Sequence, residues 1–476
     1  MITRLFVPGQ EGFELQESRA GVVLERILAL SDDDVRSSLE DVIVRFDGRH
    51  RDLMGTFRRH ARELADRLDP GAHLSDARIL LLGATFTSEY AIEGAALCNP
   101  SMVAHPDQSG TPTGSLRFVM SVRGIGEGHR SSIGFRTGVV DAAGLITIDE
   151  PTRFVTTGRV SGAPFDAAVF RSELSRIGNV GEAANYVFDA LGDRFTRSDL
   201  DARLEHLRAH SSTRGHGERA AALIRTIAAR SYAVEFLGAV TTSERVLWPS
   251  MEAEHAGMED ARFVRFVDDD GSVTYYATYT AYSGSHISQQ LLETTDFQSF
   301  TSGPLVGKAA ANKGLALFPR RIRGRYAAMS RSDRETNTVA FADHLSVWTN
   351  ASPCQQPAEP WEVLQLGNCG PPIETDAGWL VLTHGVGPMR TYSIGAILLD
   401  LDDPTRVLGR LRDPLLSPSA SEQNGYVPNV VYSCGALAHA DTLVIPYGIG
   451  DRAIGIATAP LPQLLATLIE QPDLPG

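Results

Sequence analysis

The chain of 476 residues is poor in cysteine and lacks the most common motifs of metal and nucleophile sites. No two of its cysteines form a Cys-x-x-Cys pair, so we expect neither a zinc ribbon nor a disulfide framework, but reduced thiols. None of the 13 histidines falls in a His-Glu-x-x-His motif, and no Gly-x-Ser-x-Gly elbow occurs. We therefore predict no catalytic metal and no serine nucleophile of the elbow type. The four cysteines are Cys98, Cys354, Cys369 and Cys434.

The chain also lacks an excess of positive charge and any long hydrophobic run. Its formal net charge of −14 argues against binding to nucleic acid or to an anionic membrane, because both are polyanions. No apolar stretch approaches the roughly 20 residues that a membrane helix needs. The first residues do not have the basic and then apolar order of a signal peptide. These features predict a cytoplasmic protein that binds neither nucleic acid nor membrane.

The sequence pattern changes along the chain between helical and β-like segments. Helical spacing dominates from about residue 20 to 70, and it returns where Leu200, Leu204 and Leu207 follow one another. Short β-like runs begin at Ile79–Leu82 and resume after Ala261. We predict an N-terminal helical region over 1–75 and a β domain over 76–476, with a helical insertion at about 170–235. Both helical regions are also candidate contacts for a homo-oligomer.

The second half of the sequence repeats. Short markers end at Phe263, Pro319, Ile373 and Asn429, at spacings of 54 to 56 residues, and a β-rich run follows each marker. Asn99-Pro100-Ser101 is an earlier, displaced marker of the same kind. Such a period, with several strands in each unit, is typical of propeller blades. We predict a mainly β fold, a five-bladed β-propeller with N-terminal helices and a helical insertion; a β-sandwich with coincidental spacing is the alternative.

Inner strands of a propeller converge on one axis, so residues at the repeat markers can meet in one pocket. Glu259-Asp260 is the most promising acidic pair among them. Adjacent residues of a strand point to opposite faces, so we expect only one of the two carboxylates to enter the pocket. Arg262 is then expected on the same face as Asp260, where it can pair with it or bind substrate. The alternative is an exposed carboxylate at a blade edge, or a structural ion pair.

At these residues the sequence resembles glycoside hydrolase family 130. The resemblance runs from about Ile79 to Leu465, and its motifs are Asn99-Pro100, the strand ending at Arg123, Gly-Met-Glu-Asp-Ala-Arg at 257–262, Asn312-Lys313 with Leu317-Phe318-Pro319, Gly-Pro-Pro-Ile at 370–373, and Val-Pro-Asn-Val at 427–430. The resemblance implies a five-bladed propeller that cleaves β-mannosides. Most members of the family are inverting phosphorylases that release α-mannose 1-phosphate, and others hydrolyse β-1,2-mannosides.

The resemblance also implies roles for individual residues. Asp260 matches the single catalytic acid, which protonates the glycosidic oxygen through a sugar hydroxyl. The predicted phosphate region, or the base region of a hydrolase, comprises Lys313, Arg331 and Glu335. The predicted substrate-binding residues are Asn99, Arg123, Arg262, His384 and Asp451. The implied substrate is a β-mannooligosaccharide or a mannosyl disaccharide, with inorganic phosphate as co-substrate and no cofactor.

Three functions stay open on the sequence. Lys313 and Arg331 favour phosphorolysis, because a phosphate dianion needs cations beside it. Ser330 favours hydrolysis, because phosphorylases commonly carry a histidine at that position, and Asp333 with Glu335 could then activate water. The third function is a sugar-binding propeller without catalysis. The presence of Asp260 and Arg262 argues against it.

Overall fold

The computed structural model describes residues 1–8, 19–68, 73–177, 181–210 and 214–471. The chain divides into two compact units, one of residues 1–92 with 152–156, and one of residues 93–151 with 157–476. Within the described ranges, no helix is both long enough and apolar enough to cross a membrane.

The first unit is mainly helical. Leu24, Ile27, Ala61, Leu82 and Phe86 are buried at the centre of its main core. Its strands pair antiparallel, and the helices that follow Ser31, Asp52 and Ser75 begin at these side chains, each of which accepts a hydrogen bond from the backbone of the first turn. The strands are Ile2–Leu5 and Thr87–Tyr90, and the helices are Ala20–Ala29, Asp32–Phe46, Leu53–Glu63 and Asp76–Thr85, with a 3-10 turn at Ala65–Arg67.

The β-like run predicted at Ile79–Leu82 is wrong, because these residues lie within the helix Asp76–Thr85. Ser75 begins this helix by accepting a hydrogen bond from the backbone N–H of Arg78 at 3.3 Å. An apolar run of four residues fits a buried strand and a buried helix equally well. The N-terminal cap, which is a helix signal, decides between them here.

In the described residues of the second unit the antiparallel strands fall into five groups, of which the first two belong to one sheet and are joined by the bridge between Ser131 and Gly257. The first group is Ala96–Ala104, Leu116–Ile125, Ser131–Val140 and Ile146–Ile148, with Arg245–Leu247 beside it. The second is Gly257–Val267, Val273–Tyr282, Ile287–Thr294 and Ser299–Pro304, extended by Tyr232–Glu235 and Arg159–Ser161. The third is Ala316–Leu317, Tyr326–Ser330, Asn337–Ala342 and Ala351–Gln355.

The fourth group is Gln365–Asn368, Ile373–Thr375, Gly378–Val386, Tyr392–Leu399 and Val407–Arg410. The fifth is Val431–Tyr432, Leu437–His439, Thr442–Ile449 and Ala453–Pro460, and the helix Leu461–Glu470 follows it. Each of the four regular markers read from the sequence lies within or just before a different one of the last four groups. The β-rich runs predicted at Val273–Tyr282, Tyr326–Ser330, Trp379–His384 and Thr442–Tyr447 are confirmed as strands.

Backbone contacts join each group to the next and the fifth group back to the first. Ser131 forms a bridge with Gly257, and the N–H groups of Val267, Leu366, Tyr392 and Cys434 donate to carbonyls of neighbouring groups. The last of these bonds, from Cys434 to Pro100 at 2.8 Å, connects the fifth group to the first. One cavity is lined by all five groups, with residues such as Val103, Val264, Pro319, Ile373 and Leu437.

Where the structure describes the chain between the strands Arg159–Ser161 and Tyr232–Glu235, it has four helices. Leu200, Leu204 and Leu207, which the sequence places at helical spacing, are buried in one of them and pack with Phe170 and Phe188. The helices are Ala167–Ile177, Gly181–Phe188, Arg197–His210 and Arg214–Ala228; short strands lie at Thr156–Thr157, Phe165–Asp166 and Arg194–Phe195.

Candidate active site

Two inner strands each carry a β-bulge, and both bulges present a candidate site residue. Pairing skips from Cys98 to Ser101 in one strand and from Glu259 to Arg262 in the other. Asn99 and Asp260 lie in these bulges with positive φ angles of 48° and 58°. Asn and Asp tolerate this left-handed conformation better than most residues, which suits them to a bulge that aims a side chain into a pocket.

Gly257 lets the strand that carries Asp260 approach its neighbour. It has φ 142° and bridges to Ser131. A Cβ atom at Gly257 would lie 2.6 Å from the backbone nitrogen of Ser131, closer than two such atoms can pack. Only glycine fits this position, so the close approach of the two strands depends on the residue type at 257.

Asp260 is 7% exposed and accepts hydrogen bonds from two predicted site residues. Its Oδ1 accepts from Nδ2 of Asn99 and from Nη1 of Arg123, the latter at 3.3 Å. Asn99 and Arg123 come from neighbouring strands of the first group, whereas Asp260 begins the second. The fold therefore brings together three residues that the sequence separates by as many as 161 positions.

Glu259 lies beside Asp260 in the same cluster, which corrects the expectation that only one of the two carboxylates would enter the pocket. Its Oε1 accepts from Nη2 of Arg123 at 2.5 Å, and its Oε2 accepts from Nζ of Lys313. One arginine thus contacts both carboxylates. The alternation rule fails because the bulge inserts an extra residue between Glu259 and Arg262 and rotates the backbone.

Arg262 holds the backbone of the bulge through a hydrogen bond. It is 1% exposed, and its Nη1 donates to the backbone carbonyl of Asp260 at 2.9 Å. Its Nη2 donates to the hydroxyl of Tyr432 at 3.0 Å. Arg262 therefore contacts the main chain of Asp260 and not its carboxylate. Nothing in the sequence pointed to Tyr432, which lies three residues after the marker Val427-Pro-Asn429.

Opposing effects act on the pKa of Asp260. Burial raises this pKa, but the positive charges of Lys313, Arg123 and Arg262, with the hydrogen bond from Asn99, outweigh burial and hold it well below its usual range. Asp260 is therefore a carboxylate at neutral pH in the unliganded protein.

Asp451 has the opposite shift. Burial raises its pKa, Arg123 opposes that effect, and the charge of Asp260 adds to it. The electrostatic coupling to Arg123 and Asp260 places Asp451 at the same cluster. Like Asn99 and Asp260, it has a positive φ, of 53°.

Arg331 and His384 form a second polar contact. Nη1 of Arg331 lies 3.0 Å from Nε2 of His384, and since arginine only donates, Nε2 must be the acceptor. Burial first, and then the charges of Arg331 and Arg262, hold the pKa of His384 well below its usual value, so the ring is neutral.

Among the buried polar atoms that have no hydrogen-bond partner within the described part of the chain are Nε of Arg331 and Oδ1 of Asn368. Asn368 donates to the carbonyl of Gly314 at 2.7 Å, and the side chain of Arg331 packs on Gly314. Because Gly314 follows Lys313 directly, these contacts place the side chain of Arg331 beside the residue next to Lys313. The site thus offers an unpaired N–H donor on Arg331, near a second cation, Lys313, as an anion site requires.

Glu335 has different surroundings from Lys313 and Arg331, because it lies in an exposed turn. Asp333 caps this turn by accepting hydrogen bonds from the N–H groups of Glu335 and Thr336, both at 3.0 Å. Ser330 is buried, and its hydroxyl donates to the carbonyl of Ala309 at 2.7 Å. The carboxylate of Asp333 therefore has a structural role, because it holds the backbone of this turn.

Comparison with known proteins places the chain in a family. The family model described as beta-1,4-mannooligosaccharide phosphorylase matches residues 237–470. The 1,2-beta-oligomannan phosphorylase of Thermoanaerobacter sp. is 35% identical over 210 residues, which cover 43% of this chain and 69% of that protein. The beta-1,2-mannobiose phosphorylase of Listeria innocua is 33% identical over 236 residues, which cover 47% of this chain and 63% of that protein.

Among solved structures, the beta-1,2-mannobiose phosphorylase from Listeria innocua in complex with beta-1,2-mannobiose is similar with a TM-score of 0.47. That similarity has 22% sequence identity and covers 80% of this chain and 94% of the other. The family match and the identity to the curated relatives identify the class: the chain belongs to glycoside hydrolase family 130. The family resemblance read from the sequence is confirmed.

Proposed function

We propose that the protein is an inverting β-mannoside phosphorylase that uses inorganic phosphate to release α-mannose 1-phosphate. The observation that carries the proposal is a buried carboxylate, Asp260, beside the cations Lys313 and Arg123, with Arg331 packed on Gly314, the residue that follows Lys313. The names of the curated relatives, all of them mannoside or oligomannan phosphorylases, support the same reaction. The proposed substrate is a β-mannooligosaccharide or a mannosyl disaccharide. A cytoplasmic setting belongs to the proposal, since a cell retains a sugar phosphate.

The proposed phosphate site comprises Lys313 and Arg331. The side chain of Lys313 is 35% exposed, so a dissolved anion can reach its ammonium group. Arg331 has an unpartnered Nε within the described residues, while its Nη1 is directed to a neutral histidine that adds no competing negative charge. A dianion that binds here gains charge-assisted hydrogen bonds.

The proposed chemistry needs one protein acid. A phosphate oxygen bonds to the anomeric carbon as the glycosidic carbon–oxygen bond breaks, and the leaving oxygen takes a proton that Asp260 supplies through a sugar hydroxyl. Phosphate is itself the nucleophile, so no second carboxylate has to activate water, as the usual inverting scheme requires. Bound phosphate also offsets the positive charge of Lys313, which raises the pKa of Asp260 toward a value at which it can carry the proton.

We also propose that the five strand groups of the second unit form a five-bladed propeller with the site on its axis. The backbone bonds from each group to the next, including the bond from Cys434 to Pro100, support this arrangement. The cavity lined by residues of all five groups supports it too. Asn99, Arg123, Arg262, His384 and Asp451 remain the proposed sugar-binding or positioning residues around Asp260.

Hydrolysis is the second candidate, because Glu259 supplies another carboxylate beside Asp260. Both of its oxygens accept from cations, Lys313 and Arg123, and this pairing favours phosphorolysis over a role as base. Glu335 remains a proposed member of the base region only under this second candidate.

One assay separates the two reactions. The purified protein is incubated with β-1,2- and β-1,4-mannooligosaccharides, with and without inorganic phosphate, and the products are resolved by anion-exchange chromatography. We expect α-mannose 1-phosphate, and only in the presence of phosphate. Free mannose released at the same rate without phosphate would replace the phosphorylase proposal with the hydrolase. Binding of the sugar with no turnover under either condition would refute both.

A further inference from the structure

Glu259 pairs with two cations of the proposed reaction site. Its two carboxylate oxygens accept separately, one from Arg123 and the other from Lys313. Glu259 is 7% exposed, so protein surrounds this pair of contacts, whereas the lysine end is accessible from solvent. A bound phosphate would likewise bridge two cations with two of its oxygens.

We propose that Glu259 is an internal competitor of phosphate, which must displace it from Lys313 in order to bind. This inference rests on the proposed function and adds a residue that sets the affinity for phosphate. Lys313 cannot donate at full strength to both acceptors, and the negative charge of Glu259 repels a dianion bound nearby. The phosphate affinity of the native protein is therefore lower than its cations alone would give.

Through this competition, phosphate binding changes the positive charge that acts on Asp260. Without phosphate, Glu259 holds Lys313 beside the two carboxylates, and Lys313 is the strongest of the charges that keep Asp260 ionised. When phosphate takes Lys313, Glu259 remains bound to Arg123 through its other oxygen. Arg123 thus keeps Glu259 in place, and Lys313 is the contact that is exchanged.

The test compares inorganic phosphate binding to the wild type, E259Q and E259D by titration calorimetry without sugar. Gln keeps the size of Glu and removes its charge, so we expect the dissociation constant of phosphate to fall by at least about tenfold in E259Q. Asp keeps the charge but its shorter side chain holds Lys313 less closely, so we expect the dissociation constant of E259D to lie between those of the wild type and E259Q. If Glu259 only positions Lys313, phosphate binding weakens in E259Q, and that result overturns the inference.

Glu374 provides the matched control, because it pairs with Arg320 at 2.6 Å, in a contact that does not involve the carboxylates of the site. E374Q should bind phosphate as the wild type does; equal tightening in E374Q would mean that net charge alone is responsible, and would overturn the inference. Mannose 1-phosphate formation by the wild type is measured in parallel. If the wild type forms it while E259Q binds phosphate no more tightly, only the inference fails. If E259Q binds phosphate more tightly but the wild type releases only mannose, the competition stands and the phosphorylase proposal fails.

Discussion

Replacement of Asp260 by asparagine removes the proposed proton donor with little change in shape. The asparagine oxygen can still accept from Asn99 and Arg123, which both contact a single oxygen of the native carboxylate. A positioned general acid contributes about 10² to 10⁴ in rate. We expect kcat/KM of D260N to fall about 10³-fold, which corresponds to a barrier higher by about 4 kcal/mol.

The assay is the initial rate of mannose 1-phosphate release at saturating phosphate, with circular dichroism to verify the fold. D268N is the matched control, because Asp268 follows the same strand and pairs with Arg321 at 2.9 Å in a turn. We expect D268N to keep its rate within about threefold. A folded D260N with a rate within about tenfold of the wild type would refute the assignment of Asp260 as the acid.

The variant D260N also tests the lowered pKa of Asp260. Because the folded pKa of Asp260 is lowered, its ionised form stabilises the fold at pH values above its unfolded pKa, about 4, and this contribution is lost as the pH falls toward the folded pKa. The Tm of the wild type minus that of D260N should therefore decrease between about pH 5 and about pH 3. A difference that stays constant over this window would contradict the lowered pKa.

Three further substitutions test other parts of the site. K313A should raise the KM for phosphate at least about tenfold and leave the KM for the mannoside within about threefold; equal effects on both would remove Lys313 from the phosphate site. Y432F leaves a buried N–H group of Arg262 without its acceptor, so we expect the free energy of unfolding in urea to fall by about 1 to 3 kcal/mol, and no change would mean that water replaces the hydroxyl. G257A forces a Cβ against Ser131 at φ 142° and should destabilise the fold by about 2 kcal/mol or more; a smaller loss would show that the two strands can separate.

Local patterns in the sequence were sufficient for much of the second unit. The strands Val273–Tyr282 and Tyr326–Ser330 match their predicted ranges, and the first of them is rich in aromatic and β-branched residues. The run Ile79–Leu82 was assigned to a strand because its four apolar residues carry no period of their own. Its helix depends on the cap at Ser75, a signal that lies outside the run.

The contacts of the site depended on long-range pairing. Asp260, Asn99 and Arg123 could each be nominated from a motif, but only the fold places their side chains around one carboxylate. Tyr432 carried no signal, since its contact with Arg262 joins strands that are 170 residues apart in the chain. His384 was nominated, yet its neutral state follows from burial and from nearby arginines.

The sequence by itself determined the family, the repeat of 54 to 56 residues and Asp260 as the candidate acid, because these depend on residue types at fixed spacings. Tertiary structure decided how Asp260 and Glu259 are placed. Regular strand geometry sends adjacent side chains to opposite faces, but the bulge between Glu259 and Arg262 brings both carboxylates to Arg123. A bulge is set by the pairing of one strand against its neighbour, and that register is a property of the folded sheet.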